Sequence, residues 1–208
     1  FHQERPPGRR AGGAAVSAAR VKICGVTRPE DAVAAAECGA WAVGVIFYAQ
    51  SPRFVTTKQA CTVVDALPKS VLKVGVFMDT SGEAIRRVEK DVSLDLIQIH
   101  GRDAAALARE VGGDRAVLAV ALGSTADVAA AKDHAAAYVL VDRQRVAGLP
   151  SEEPVNRGLA GMLSRQRPGI LLAGALTPET VESAIREVRP AGVDVSGGVE
   201  STPGIKDH

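Results

Sequence analysis

Short runs of β-branched and other apolar residues alternate with helix-like segments from Val21 to the end of the chain. Such runs are typical of buried strands, and the segments between them carry helix start and stop signals, such as Thr27-Arg28-Pro29 and Gly39. The predicted strands cover residues 21–24, 40–47, 71–78, 94–100, 116–122, 136–142, 169–175 and 192–197. The predicted helices cover residues 29–37, 57–66, 82–90, 103–111, 125–133, a segment ending near Gln166, and 178–188.

Strands that alternate with helices in this way predict a parallel sheet with crossover helices. Eight such units favour an α/β protein built as a single (β/α)8 or TIM barrel over an open doubly wound sheet. No G-x-G-x-x-G motif follows the first strand, which argues against a dinucleotide-binding fold. We expect one barrel domain over residues 21–208, with the eighth helix truncated or missing, and a disordered extension over the Pro-, Gly- and Arg-rich residues 1–20.

Composition narrows the classes of function. A net charge of +1 and 3% aromatic residues provide neither the basic surface nor the stacking side chains typical of nucleic-acid binding. No apolar run approaches the roughly 18 residues that indicate a membrane span. Three widely spaced cysteines predict neither a disulfide framework nor a metal site and favour a reducing cytoplasm. Cys38 and Cys61 are interpreted as small core residues.

Residue parity predicts which strand side chains point into the barrel, because successive residues face opposite sides of a sheet. In the first, fourth, sixth and eighth strands, the apolar residues share one parity and are expected to face the helices. The polar residues share the other parity and lie near the carboxyl ends of their strands: Lys22, Cys24, Gln98, His100, Asp142, Asp194 and Ser196. Active sites of barrels lie at that end.

Cys24 and Asp142 end the first and sixth predicted strands. A thiol and a carboxyl group can act as general base and general acid when their pKa values are tuned towards neutrality, and Lys22 would supply a cation near the thiol. Arg53, which follows Pro52 after the second strand, would bind a carboxylate. Each residue also has a purely structural interpretation: Cys24 as a small inward residue, Asp142 as a helix cap, and Arg53 as a solvated surface residue.

Small residues follow the seventh and eighth strands. They let backbone N–H groups approach an anion, and these two loops form the usual phosphate site of barrels. The alternative is that they only permit tight turns. The candidate phosphate-binding residues are Gly174, Ala175, Ser196, Gly197 and Gly198.

Six segments carry specific motifs in a fixed order. They are KICGVTRPEDA, GVIF with SPRFV, VGVFMD, LDLIQIHG, LAGALTPETV and VDVSGGVESTPGIKDH. Together they resemble the phosphoribosylanthranilate isomerase family, from about Val21 to the end of the sequence. The resemblance implies a (β/α)8 barrel that catalyses the Amadori rearrangement of N-(5-phosphoribosyl)anthranilate in tryptophan biosynthesis, with no metal and no organic cofactor.

The resemblance also implies roles for individual residues. Cys24 is the expected general base, Asp142 the general acid, and Arg53 the group that holds the anthranilate carboxylate. The two small-residue loops hold the phosphate, and the remaining inward polar residues are expected to contact the substrate: Lys22, Gln98, His100 and Asp194. The expected partner is a small phosphorylated sugar, without nucleic acid or membrane, and the expected assembly is a monomer or homodimer.

The sequence departs from the family pattern in the loop after Asp142, which reads RQRVAGLPSEEPVNRG where the family usually has a glycine-rich GGTG-type loop. Ala175 also stands where a second glycine is common, and its methyl group is expected to crowd the phosphate.

Two other functions stay open. The first is a sugar-phosphate isomerase of histidine biosynthesis or a dual-substrate isomerase, which Cys24 disfavours because the histidine-pathway enzymes have an aspartate at the end of the first strand. A non-catalytic barrel that binds a phosphorylated ligand, or a structural half of a fused tryptophan-pathway protein, is favoured if the glycine-rich loop is absent.

Overall fold

The computed structural model describes residues 19–146, 149–150 and 153–208. Eight parallel strands form a closed barrel, which confirms the predicted architecture. The barrel strands are β1 (Arg20–Cys24), β2 (Ala42–Ile46), β3 (Leu72–Met78), β4 (Leu96–His100), β5 (Ala116–Val120), β6 (Tyr138–Val141), β9 (Ile170–Leu172) and β10 (Gly192–Val195). Two short hairpins lie outside the barrel: β7 (Arg145–Val146) with β8 (Leu149–Pro150), and β11 (Glu200–Thr202) with β12 (Ile205–Lys206).

Helices follow the first seven barrel strands. They are α1 (Pro29–Glu37), α2 (Thr57–Asp65), α3 (Gly82–Glu89), α4 (Ala104–Glu110), α5 (Thr125–Lys132), α6 (Arg157–Gln166) and α7 (Pro178–Val188). Helices α1 and α7 have the predicted bounds because Pro29 and Pro178 preset the first helical turn. Capping boxes at Thr56 and Ser124 fix the starts of α2 and α5.

The barrel closes between its first and last strands. Strand β1 pairs with β10, which places Lys22 opposite Asp194, and with β2, which places Cys24 opposite Gly44. The order around the barrel is β1-β10-β9-β6-β5-β4-β3-β2. Only β10 and β9 therefore separate the end of β1 from the end of β6, where Asp142 follows.

Two apolar clusters confirm the predicted parity. The outer cluster, between sheet and helices, includes Ile97, Ile99, Val139, Val141, Val193 and Val195. The inner cluster fills the barrel and includes Val74, Val76, Leu96, Val117, Leu140, Leu171 and Cys24. Burial of these side chains is the main force that stabilises the barrel. The buried polar residues of the barrel strands lie on the inner parity: Lys22, Gln98, His100 and Asp194.

Strand β9 shows why several predicted strands are too long. The apolar run predicts a strand over 169–175, but β9 covers only Ile170–Leu172. Gly169, Gly174 and Ala175 have φ angles of 74°, 92° and 57°, which an extended strand does not allow. The apolar run therefore continues into the loop, and Gly174 and Ala175 leave the sheet.

In the part of the chain that the structure describes, β10 is followed by a 3-10 turn (Gly197–Val199) and the β11–β12 hairpin, with no eighth α-helix. Val21, on the outer face of β1, is 37% exposed, whereas Val193 and Val195 are buried. The outer face of β1 therefore exposes an apolar side chain, whereas the outer face of β10 does not. None of the described helices has the length and hydropathy needed to cross a membrane.

The cysteine assignments are partly wrong. Cys38 is exposed, because it follows the last turn of α1 as the C-cap residue. Cys61 is half-buried, and its Sγ donates to the Asp91 carbonyl at 3.4 Å. The predicted extension over residues 1–20 lies outside the described residues except for its last two, and Arg20 already belongs to β1.

Candidate active site

A cavity of about 670 Å³ opens at the carboxyl ends of the barrel strands. Every predicted site residue except Lys22 lines it: Cys24, Arg53, Gln98, His100, Asp142, Gly174, Ala175, Asp194, Ser196, Gly197 and Gly198. Its size falls within the range of about 300–1,000 Å³ that is usual for small-molecule sites. Lys22 lies beneath the cavity, in the barrel interior, and is 1% exposed.

Cys24 is the last residue of β1 and is 5% exposed at the wall of the cavity. The adjacent β2 residue is Gly44, and a Cβ atom there would lie 2.9 Å from the Cys24 Sγ and 3.2 Å from the Lys22 Nζ. Glycine is therefore required for the thiol and the ammonium group to share this space. Burial and the Asp194 carboxylate raise the pKa of the Cys24 thiol, against the opposing effect of Lys22.

Lys22 and Asp194 form a buried ion pair below the thiol. The Lys22 Nζ donates to Asp194 Oδ1 at 2.7 Å. Burial alone lowers the pKa of Lys22, but the charges of Asp194 and Cys24 outweigh it and raise the pKa, so Lys22 is protonated at neutral pH. Both Lys22 Nζ and Cys24 Sγ lie next to Gly44, which is consistent with the effect of Cys24 on the pKa of Lys22. A protonated lysine thus lies between the candidate base and a carboxylate.

Asp142 follows β6 and lies in the wall of the same cavity as Cys24. Its Oδ1 accepts a hydrogen bond from the Arg143 backbone N–H at 2.8 Å. Burial is the main cause of the raised pKa of Asp194, and the nearby Asp142 carboxylate raises it further. The structure thus brings together the predicted acid and base, on opposite sides of the β9 and β10 ends.

Gln98 and His100 both point inward from β4. The Gln98 Nε2 and His100 Nε2 atoms are 2.8 Å apart, within hydrogen-bond distance. The buried Gln98 Oε1 has no hydrogen-bond partner among the described residues. A buried amide oxygen in the wall of a cavity is available to a hydroxyl group of a ligand.

The two small-residue loops meet at one side of the cavity. A Cβ atom at Gly198 would lie 1.9 Å from the Leu176 carbonyl oxygen, so only glycine allows the loops after β9 and β10 to approach this closely. The buried Ser196 Oγ has no hydrogen-bond partner within the described part of the chain. Ala175 adopts a left-handed conformation, which explains why glycine would be preferred there.

Arg53 does not lie free in the cavity. Its Nε and Nη2 donate to Glu200 Oε1 and Oε2 at 2.8 and 2.6 Å. This pairing uses one edge of the guanidinium group and leaves the edge formed by Nη1 and the second Nη2 proton for another carboxylate. Glu200 therefore fixes the orientation of the Arg53 guanidinium group.

Sequence reasoning missed Glu200 and Lys206. The Lys206 Nζ donates to Glu200 Oε1 at 2.7 Å, to the Cys24 carbonyl at 2.7 Å and to the Ser196 carbonyl at 3.2 Å. Both residues lie in the segment VDVSGGVESTPGIKDH, which carried part of the resemblance, but strand parity says nothing about a hairpin beyond the last strand. No group of three or more His, Cys, Asp or Glu side chains suited to a metal ion occurs among the described residues.

These features define a (β/α)8-barrel protein with a thiol, carboxyl groups and two small-residue loops around one cavity. The chain belongs to the N-(5'-phosphoribosyl)anthranilate isomerase family, whose profile matches residues 21–208. It is 44% identical over 196 residues to the N-(5'-phosphoribosyl)anthranilate isomerase of Pseudomonas fluorescens Pf0-1, covering 93% of this chain and 95% of that protein.

Solved structures agree with this assignment. The crystal structure of phosphoribosyl anthranilate isomerase from Thermotoga maritima has a TM-score of 0.82 and 36% identity, covering 91% of this chain and 93% of that one. A second structure is that of a phosphoribosyl anthranilate isomerase in complex with reduced 1-(o-carboxyphenylamino)-1-deoxyribulose 5-phosphate. It has a TM-score of 0.79 and 36% identity over the same shares of the two chains.

Proposed function

We propose that this chain is a phosphoribosylanthranilate isomerase in which Cys24 and Asp142 transfer the protons. The observation that carries the proposal is that both side chains line one cavity, together with Arg53 and the two small-residue loops, in a member of this family. A relative binds a compound with a carboxyphenyl group at one end and a phosphate at the other. The cavity offers a cation and anion-binding loops for two such ends.

The proposed reaction needs one acid and one base. Asp142 donates a proton to the ribose ring oxygen, the C1–O bond breaks, and the nitrogen lone pair forms an iminium ion. The Cys24 thiolate then removes the C2 proton, and the C2–H electrons neutralise the iminium nitrogen to give an enolamine. Tautomerisation to the ketone adds the proton held by Cys24 to C1, and the enol O–H gives its proton to the Asp142 carboxylate, so Cys24 is again a thiolate and Asp142 again an acid. Substrate and product are isomers, so the step requires no oxidant or reductant.

Binding groups hold the substrate at both ends of the cavity. Arg53 takes the anthranilate carboxylate through its remaining guanidinium edge, and the phosphate lies against Gly174, Ala175 and the Ser196-Gly197-Gly198 turn. The buried polar side chains Gln98, His100 and Asp194 contact the sugar between them, while Lys22 acts on Cys24 from below. Fixing both ends reduces the entropy that must be lost at the reacting carbon atoms.

The test is to mix purified protein with freshly prepared phosphoribosylanthranilate and to follow the loss of its fluorescence. Cys24→Ser and Asp142→Asn should each lose most of kcat with little change in KM, because each removes a proton-transfer group and keeps the binding groups. Cys38→Ser is the matched control, since this exposed thiol lies at the end of α1, and it should keep full activity. A wild-type chain that binds the substrate without converting it would instead favour the non-catalytic barrel.

Three further expectations belong to the proposal. A monomer or homodimer is expected, and one of the T. maritima structures is described as derived from a dimeric isomerase. Analytical ultracentrifugation of this chain measures that state. Location in the cytoplasm and a lack of nucleic-acid partners remain predictions, supported by the balanced charge and the biosynthetic role that the family name implies.

A further inference from the structure

Lys206 occupies an unusual place for a lysine. Its side chain is 5% exposed, and its ammonium group has three acceptors: the backbone carbonyls of Cys24 and Ser196 and the carboxylate of Glu200. These contacts satisfy all three of its protons. A buried ammonium group thus connects the end of β1, the end of β10 and the hairpin that follows.

Glu200 continues this connection to the predicted carboxylate anchor. Its Oε1 accepts hydrogen bonds from both Lys206 Nζ and Arg53 Nε, and its Oε2 accepts one from Arg53 Nη2. Burial alone raises the pKa of Glu200, but the hydrogen bonds from Arg53 and Lys206 outweigh it and lower the pKa, so the carboxylate is ionised. An unbroken path therefore runs from the Cys24 backbone through Lys206 and Glu200 to the Arg53 guanidinium group.

The hairpin that carries Lys206 is hydrogen-bonded to the segment that joins β1 to α1 and to the first turn of α1. The Thr27 Oγ1 donates to the Gly204 carbonyl at 2.6 Å, and the Lys206 backbone N–H donates to Asp31 Oδ2 at 3.1 Å. Asp31 is buried and also accepts two hydrogen bonds from Arg28. Lys206 therefore lies on a hairpin whose backbone is held in place by these hydrogen bonds.

We propose that Lys206 is a positioning residue for the isomerase reaction, one that holds Arg53 through Glu200 and the Cys24 backbone directly. This proposal rests on the proposed function. An ammonium and a carboxylate buried at this depth stabilise a fold no better than apolar side chains of similar size. Their role here is geometric: they set the separation between the group that holds the anthranilate ring and the group that takes the C2 proton.

The first test measures whether Lys206 acts through Arg53. Lys206→Met keeps the length of the side chain and removes its charge, and Arg53→Ala removes the anchor. Lys206→Met should raise KM and lower kcat/KM between about tenfold and 100-fold, as expected when a binding group is misplaced. The double variant should have the KM of Arg53→Ala alone. Penalties in KM that multiply would mean that the two residues act independently, and would overturn the proposal.

The second test does not depend on turnover. In a Cys38→Ser/Cys61→Ser background, Cys24 is the remaining thiol, and its alkylation by iodoacetamide can be followed against pH by mass spectrometry. Removal of the Lys206 cation should move the alkylation profile to higher pH, because that cation favours the thiolate. An unshifted profile would overturn the proposed contact with Cys24, whether or not the chain proves to be an isomerase.

Two more variants separate positioning from folding. Lys73→Met removes a half-buried lysine near the amino end of β3 and should leave both KM and the alkylation profile unchanged. If Lys206→Met fails to fold, Glu200→Gln provides the same KM test, because it weakens the contacts to Lys206 and Arg53 while keeping the side-chain shape. A wild-type KM in a folded Glu200→Gln protein would contradict the proposal.

Discussion

Breaking the buried Lys22–Asp194 pair should destabilise the barrel strongly. The Nζ–Oδ1 distance is 2.7 Å, the side chains are 1% and 8% exposed, and the pair joins β1 to β10 where the barrel closes. Removal of one partner leaves a buried charge unpaired, which costs about 3–5 kcal/mol. In a domain of this size 1 kcal/mol corresponds to about 2–4 °C, so Lys22→Met should lower the melting temperature by roughly 6–20 °C.

Replacement of both partners should restore most of this loss. Lys22→Met with Asp194→Leu exchanges the two charges for apolar groups of similar volume, a change that is often neutral or stabilising. Urea unfolding followed by circular dichroism of the wild type, both single variants and the double variant gives the coupling energy. The single variants should be the least stable of the four proteins.

The pH dependence of Lys22→Met provides a separate check on the same reasoning. Burial raises the pKa of Asp194 even beside Lys22, and loss of the lysine removes an opposing attraction. A carboxyl group whose pKa is higher in the folded state than in the unfolded state contributes stability that is present at low pH and lost as pH rises through the folded value. The stability gap between Lys22→Met and the wild type should therefore narrow on acidification.

The exposed pair Glu83–Arg87 is the control, with an Nη2–Oε1 distance of 2.9 Å on the surface of α3. Arg87→Met should leave the melting temperature nearly unchanged, because solvent screens such pairs. The reasoning would be refuted if Lys22→Met melted at the same temperature as Arg87→Met. It would equally be refuted if the double variant lost as much stability as the two single variants added together.

Two other predictions concern Ala175 and Cys24. Ala175 has a φ angle of 57°, which glycine adopts without strain. Ala175→Gly should therefore stabilise the protein by up to about 1 kcal/mol in urea unfolding and tighten inhibition by a product analogue. A less stable variant would contradict this prediction. The raised pKa of Cys24 means that the thiolate fraction in the free protein grows as pH rises, so kcat/KM should increase with pH on the alkaline side. The rise of kcat with pH should occur at a lower pH than the rise of kcat/KM, because the iminium ion of the bound intermediate favours the thiolate. A kcat/KM that is constant through the alkaline range would exclude Cys24 as the base.

Much of the fold could be predicted because local and global signals agree. Short-range rules explain the β-branched runs, the helix starts at Pro29 and Pro178, and the outward parity of Ile97 and Val139. The closed barrel obeys the same rules. The inward placement of Cys24 follows from the same parity. Strand ends were harder, because an apolar residue in a loop looks like one in a strand until the φ angle is known.

The contacts of the site could be predicted less well. Arg53 was identified, but its pairing with Glu200 joins residues far apart in the chain, and no pattern in either segment indicates it. Lys206 was missed for the same reason, since a lysine in a loop beyond the last barrel strand is normally solvated. The left-handed angle of Ala175 was hidden because alanine is rarely chosen for that conformation.

The charges around Cys24 bear on the order of the proposed proton transfers. In the free cavity, burial and Asp194 raise the pKa of the thiol more than Lys22 and Lys206 lower it, so the base is mostly protonated. In the proposed reaction, proton donation by Asp142 opens the ring and creates a cation on the substrate beside the C2 proton. That cation favours the thiolate and acidifies C2 at the same moment, because both effects are Coulombic. Ring opening must therefore precede proton abstraction, and Asp142→Asn should suppress C2–H exchange with solvent as well as turnover.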